Sequence, residues 1–182
     1  MLFTNTGKEN TEQTLKEAYK RAKELGIKEV VLASTTGDTA LKALEIFEDI
    51  SIVSVSYHAG FKKDFKLSIT DEDRKTLEEK GVKVICTSHA LSGVERGLAK
   101  KMPGVYPLEL VSQTLKLFGQ GTKVAVEVAL MAADAGAISG QPLIAIGGSS
   151  KGADTALVLT PAHQNSFFNM SIHEIVCKPS LL

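Results

Sequence analysis

Val30-Val31-Leu32-Ala33-Ser34-Thr35-Thr36-Gly37-Asp38-Thr39-Ala40-Leu41 is the stretch that decides the fold. Four apolar residues read as a buried strand. A turn of hydroxyls with one glycine follows, and a helix begins near Asp38 or Thr39. A helix start carries backbone N–H groups without intrahelical partners and a partial positive charge. With hydroxyl donors around it, and a glycine that lets the main chain approach a guest, such a start suits an anion, phosphate first. Two facts pull the other way. Ser, Thr and Asp also cap helices with no ligand present, and the Asp38 carboxylate competes for the same positive end.

Outward from this turn, the chain alternates strands with helices. Asn10 or Thr11 caps a helix whose Leu15, Ala18, Tyr19, Ala22 and Leu25 fall at helical spacing, with Gly26 ending it. The first strand is Glu29 to Ala33, followed by a helix from Thr39 to Glu48. Ile50 to Tyr57 alternates as a second strand and stops at His58-Ala59-Gly60-Phe61. Phe61 to Ile69 holds three lysines and two phenylalanines without periodicity, and reads as a loop or flap. Thr70 caps an acidic helix from Asp71 to Lys80. Val82 to Cys86 is the third strand, then Thr87-Ser88-His89 and a helix through Val94 and Leu98. Pro107 suits the first turn of the next helix, to Phe118. Thr122 to Ala137 is apolar nearly all round, so it must be buried.

Pro142 to Ile146 is the fourth strand. Gly147-Gly148-Ser149-Ser150-Lys151-Gly152 separates it from a fifth at Asp154 to Thr160. So short a link makes a hairpin, since a parallel return needs a long crossover. Ile172 to Cys177 reads as a further edge strand. The sum is an α/β three-layer α/β/α sandwich on a mixed sheet, a single domain over 1–182. The polar turns after Ala33, Tyr57, Cys86 and Ile146 all follow carboxyl ends of strands, where open α/β sheets bind ligands.

Composition narrows the function. With 21 basic and 21 acidic residues, the chain lacks the basic excess of a nucleic-acid binder. No run reaches membrane-spanning length and the N-terminus has no apolar signal core. Cys86 and Cys177 lie in apolar runs without ligand spacing and read as buried free thiols. The expectation is a cytoplasmic protein with no metal, no nucleic-acid or membrane partner, and self-association into a homo-oligomer left open. His58, His89, His163 and His173 have no His or Cys at ligand spacing. His89, beside Thr87 and Ser88, is the best placed for chemistry, although a Ser–His pair needs an orienting group. Glu127 and Asp134 share a face of the buried helix, with Lys123 placed to pair with Glu127. Phe61, Phe65, Phe167 and Phe168 are free to cover a planar ring or simply to pack. Lys62, Lys63 and Lys66 either guide an anion or form a wet face. Neither a Walker loop nor GxGxxG is present.

Ser34-Thr35-Thr36-Gly37-Asp38-Thr39 resembles the Ser/Thr-rich phosphate loop of the pyruvate kinase C-terminal domain. Gly147-Gly148-Ser149-Ser150-Lys151-Gly152-Ala153-Asp154-Thr155 is similar to that family's Gly/Ser/Thr effector loop. The resemblance implies sheet order 3-2-1-4-5 with strand 5 antiparallel, both loops facing one crevice, and a sugar phosphate as a ligand. It does not imply kinase activity, because nothing here matches the catalytic barrel. Small stand-alone proteins of this architecture share the pattern Asn10-Thr11, Thr14-Leu15, Arg21-Ala22, Ala33-Ser34, Gly37, Thr39-Ala40. That likeness suggests flavin mononucleotide (FMN), with a regulatory or flavin-dependent role. The expected binding set is Ser34, Thr35, Thr36, Gly37, Thr39, Gly60, Phe61, Thr87, Ser88, His89, Gly147, Gly148, Ser149, Asp154 and Thr155. No catalytic residue is assigned, and a small hydrolase using the His89 turn is the alternative.

Overall fold

The computed structural model describes residues 1–180. Its elements are β1 (Leu2–Phe3), α1 (Thr11–Leu25), β2 (Glu29–Ala33), α2 (Asp38–Leu44), β3 (Ser51–Tyr57), α3 (Asp71–Glu79) and β4 (Lys83–Thr87). They continue with α4 (Glu95–Lys101), α5 (Pro107–Lys116), α6 (Gln120–Asp134), β5 (Leu143–Gly147), β6 (Thr155–Thr160) and β7 (Ser171–Pro179). One seven-stranded sheet runs β1-β7-β6-β5-β2-β3-β4. Its part β4-β3-β2-β5-β6 is the expected 3-2-1-4-5. β2 pairs parallel with both β3 and β5, and β6 pairs antiparallel with β5.

The period of two along each strand explains the layers. Val30 and Leu32 of β2, with Ile144 and Ile146 of β5, join Leu15, Ala18 and Ala22 of α1, Ala40 and Ala43 of α2, and Leu77 of α3 in one core. Val31 and Ala145 point the other way and meet Ala125, Ala129 and Ala132 of α6 in a second. Both faces of the central strands are covered, which is why their sequences are continuously apolar rather than alternating with polar residues. Burying so many apolar side chains, at ~25 cal/mol per Å² removed from water, is the main term stabilising the sandwich.

Several local expectations hold. Gly26 ends α1 in the left-handed region, at φ 68°, with its N–H on the Ala22 and Lys23 carbonyls. The Thr70 hydroxyl accepts from Asp73 N–H at 3.0 Å and caps α3. Others need correction. The last strand runs on to Pro179, and the two residues of β1 pair parallel only with that extension, Leu2 opposite Lys178 and Phe3 opposite Pro179. The helix expected from Thr39 to Glu48 stops at Leu44. Cys86 is only half-buried, whereas Cys177 is fully buried. Phe61 to Ile69 is not a loose flap. A bridge between Lys63 and Lys66 folds it into a knuckle, and Ile69 is buried at its far end. No described helix is long and apolar enough to cross a membrane.

Candidate functional site

At the carboxyl edge of β2, β3, β4 and β5 lies a cleft of about 570 Å³, within the range of small-molecule sites. The connectivity explains its position: β2 and β5 lie side by side, but the chain leaves them in opposite directions across the sheet, opening a crevice between the two exits. Ser34, Thr35, Thr36 and Thr39 line one side, and Gly148 and Ser149 line the other. Phe61 and His89 line it as well. Thr36 and Ser149, far apart in sequence, therefore share one cavity.

The hydroxyls differ in how they are committed. Ser34 is buried, and its Oγ accepts weakly from Ala40 N–H at 3.4 Å. Ser56, which sequence reasoning passed over, donates to the Thr35 carbonyl at 2.8 Å and fixes the turn. Thr39 is 6% exposed, and no hydrogen bond engages its hydroxyl among the described residues. The buried hydroxyl without a partner among the described residues is that of Ser54, whereas Thr39 lines the cleft.

Seven expected residues do not line the cleft: Gly37, Gly60, Thr87, Ser88, Gly147, Asp154 and Thr155. Gly37 shapes the turn instead. Its φ of 102° is one that L side chains rarely adopt, and a Cβ there would press Leu77 Cδ1 at 3.3 Å. Asp154 is fully buried behind the glycine loop. Its Oδ2 accepts from Gly7 N–H at 2.8 Å and Ser149 N–H at 3.1 Å, and its Oδ1 from the Thr155 hydroxyl at 2.9 Å. A carboxylate holding three donors braces the loop and ties the N-terminal segment to it. Ala153 N–H donating to Thr11 Oγ1 at 3.0 Å adds a second tie. Gly147 owes its identity to packing against α6, where Gly121 O would lie 2.2 Å from any added Cβ.

Those ties bring in residues that sequence reasoning missed. Lys8 and Thr11 come from the N-terminal segment, Lys42 from α2, Arg96 from α4 and Gln120 from α6. With Lys62, Lys123 and Lys151, six basic side chains line the cleft against two carboxylates, Asp38 and Glu127. A chain of zero net charge has thus concentrated positive charge here. The starts of α1 and α6, neither closed by a side-chain cap, open onto the same space through Thr11 and Gln120.

The opposite wall is aromatic. The ring centroids of Tyr57 and Phe61 are 4.4 Å apart, those of Phe61 and His89 4.6 Å, and those of Tyr57 and His89 5.1 Å. Arg96 lies 5.1 Å over the Phe61 ring. Burial lowers the His89 pKa; Glu127 opposes this, while Lys123, Arg96 and His58 add to it. No hydroxyl or carboxylate is hydrogen-bonded to the His89 ring among the described residues, so the arrangement is a cluster of rings tilted 31–40° to one another, with Lys62 over Tyr57 as well, rather than an oriented base. At the floor, Lys123 Nζ donates to Glu127 Oε2 at 2.5 Å, and Leu91 N–H donates to Oε1 at 3.0 Å.

The remaining candidates lie elsewhere. Asp134, at the far end of α6, takes hydrogen bonds from His163 and Gln164. Burial pushes its carboxyl up, but those bonds outweigh it and hold the pKa below the usual value. His173 pairs with Thr160 on the sheet, at 2.8 Å. Phe65 and Phe168 are exposed, and Phe167 packs against the α6 core. No group of three His, Cys, Asp or Glu side chains gathers to hold a metal ion among the described residues.

Comparison with known proteins adds a family. The model described as "Pyruvate kinase, alpha/beta domain" matches residues 12–159. Among solved structures, a pyruvate kinase from Cryptosporidium parvum aligns over 83% of this chain and 23% of its own, at 14% identity and TM-score 0.41. The Cryptosporidium parvum pyruvate kinase solved in complex with ADP aligns over 89% of this chain and 23% of that one, at 14% identity and TM-score 0.38. The chain spans less than a quarter of the length of these enzymes.

Proposed function

We propose that this chain, which belongs to the pyruvate kinase alpha/beta domain family, binds a phosphorylated small molecule in the cleft, with FMN the first candidate and a sugar phosphate the second. The observation that carries the reading is the meeting of Thr36 and Ser149 in one cavity of about 570 Å³ rich in basic side chains. The phosphate would accept from Ser34, Thr35, Thr36, Thr39 and Ser149, with Lys8, Lys42 and Lys151 offsetting its charge. The Thr39 hydroxyl, which lines the cleft, is a donor such a guest would engage.

The aromatic lining of the cleft supports FMN as well as its charge does. The cavity has a hydroxyl and lysine end for a phosphate and a wall of Tyr57, Phe61 and His89 for a ring. Bound there, FMN would supply redox chemistry. The chain's own residues would orient the ring and hold the phosphate, in a regulatory or a flavin-dependent role.

Thermal shift and titration test this. FMN or a sugar phosphate should raise the melting temperature, and the dephosphorylated forms should raise it less. Thr39→Val keeps the shape and removes the hydroxyl, so affinity for the phosphorylated ligand should fall about tenfold, the worth of one charge-assisted hydrogen bond. If every phosphorylated compound shifts the melt no more than its dephosphorylated form, the phosphate reading is wrong.

A further inference from the structure

Lys123 is 9% exposed and Glu127 3% exposed, yet both line the cleft. An ammonium has three donors. Among the described residues Lys123 Nζ uses one, on Glu127, while the carboxylate accepts one bond at each oxygen. Burying an ion pair is costly unless the remaining donors and acceptors are also satisfied. This pair therefore presents spare N–H donors beside spare carboxylate lone pairs, facing a cavity.

We infer that the Lys123–Glu127 pair reads the edge of a planar heterocycle that carries a carbonyl next to an N–H, an amide or imide edge. The assignment rests on the cleft being a ligand site. The ligand carbonyl accepts from Lys123 Nζ, and the ligand N–H donates to Glu127. A phosphate or carboxylate does not suit this floor. It would sit a few ångströms from the buried Glu127 charge, where low dielectric strengthens repulsion. A neutral edge meets both partners without that cost. The ring also has aromatic neighbours: His89 is two residues from Leu91, whose N–H holds Glu127, and His89 packs with Tyr57 and Phe61. The two ends of the cleft thus divide the work, with hydroxyls and lysines for an anion and the α6 pair for a ring edge.

Methylating the ring N–H tests this without altering the protein. Riboflavin and 3-methylriboflavin, and uridine and 3-methyluridine, are titrated against the full chain by fluorescence or calorimetry, with ribose 5-phosphate as the ring-free probe. In at least one pair the unmethylated ligand should bind tenfold or more tightly. In the double variant Lys123→Met/Glu127→Leu, which replaces both charges with apolar groups and so avoids a lone buried charge, that ratio should fall to about one. Ribose 5-phosphate affinity should stay within twofold. Discrimination against the methylated ring, with FMN binding no tighter than riboflavin and no binding of ribose 5-phosphate, would keep this inference and remove the phosphate reading. Equal binding of both members of both pairs, or no binding of any of the four, would overturn it, as would a tenfold ratio that survives in the double variant.

Discussion

Replacing Gly147 by alanine should destabilise the protein by about 3 kcal/mol, the upper end of what overpacking a close-packed interior costs. The size follows from what the new methyl would meet. Its Cβ would lie 2.2 Å from Gly121 O and 2.7 Å from Ala125 N, both backbone atoms of α6. Side chains can rotate away, but a helix backbone cannot. Relief to ordinary contact near 3.5 Å requires α6 to move off β5 by about 1 Å, and gaps of that order forfeit a quarter to a half of each dispersion contact. α6 carries most of the second core, so the loss spreads along it. For a domain of this length each kcal/mol shifts the melting temperature by roughly 2–4 °C, so the variant should melt about 6–12 °C lower. Differential scanning calorimetry, with urea unfolding to check the slope, measures it. Gly97→Ala is the control: nothing lies within 4 Å of its added Cβ inside α4, and helix propensity predicts a gain of up to ~1 kcal/mol. A Gly147→Ala protein that melts within 2 °C of wild type would refute the close-approach argument.

Asp154→Ala should cost about 3 kcal/mol by stranding the Gly7, Ser149 and Thr155 donors; hydrogen exchange should speed up at Gly7 and Ser149 first, and unchanged exchange there would contradict the brace. Burial pushes the Cys177 thiol up to about 11 and raises that of Cys86 as well. At pH 8 a disulfide reagent should therefore label half-buried Cys86 slowly and Cys177 only after denaturation, as peptide mapping would read out. Because burial depresses the His89 pKa, the folded state binds fewer protons than the unfolded chain just below pH 6.5. Stability should consequently fall as pH drops through that range, and His89→Asn should flatten this part of the profile. An unchanged slope would mean that the titration belongs to other groups.

Sequence was sufficient where short-range chemistry decides. The β-branched runs, the Gly26 stop, the Thr70 cap and Pro107 at a helix start are all set within a few residues, so periodicity and capping locate them. Gly148 to Gly152 was legible as a turn, although Gly147 before it belongs to β5, and the short link to the next strand forced the antiparallel pair. Strand order needed the likeness to a known architecture, because neighbours in a parallel sheet are joined by no local signal.

The cleft's floor and rim were decided only by tertiary structure. Nothing near Lys8 announces that it will line one cleft with Thr36; Asp154 brings it there by accepting the Gly7 N–H from 147 residues away. Asp154 itself looked like a ligand residue because a glycine loop next to a carboxylate reads the same whether the carboxylate faces in or out. Lys123 and Glu127 were visible as a helical pair, but their burial depends on α6 lying between the sheet and α5, a matter of packing. Local sequence sets which backbone shapes are accessible. Only the summed burial of both sheet faces chooses which distant side chains end in one cavity.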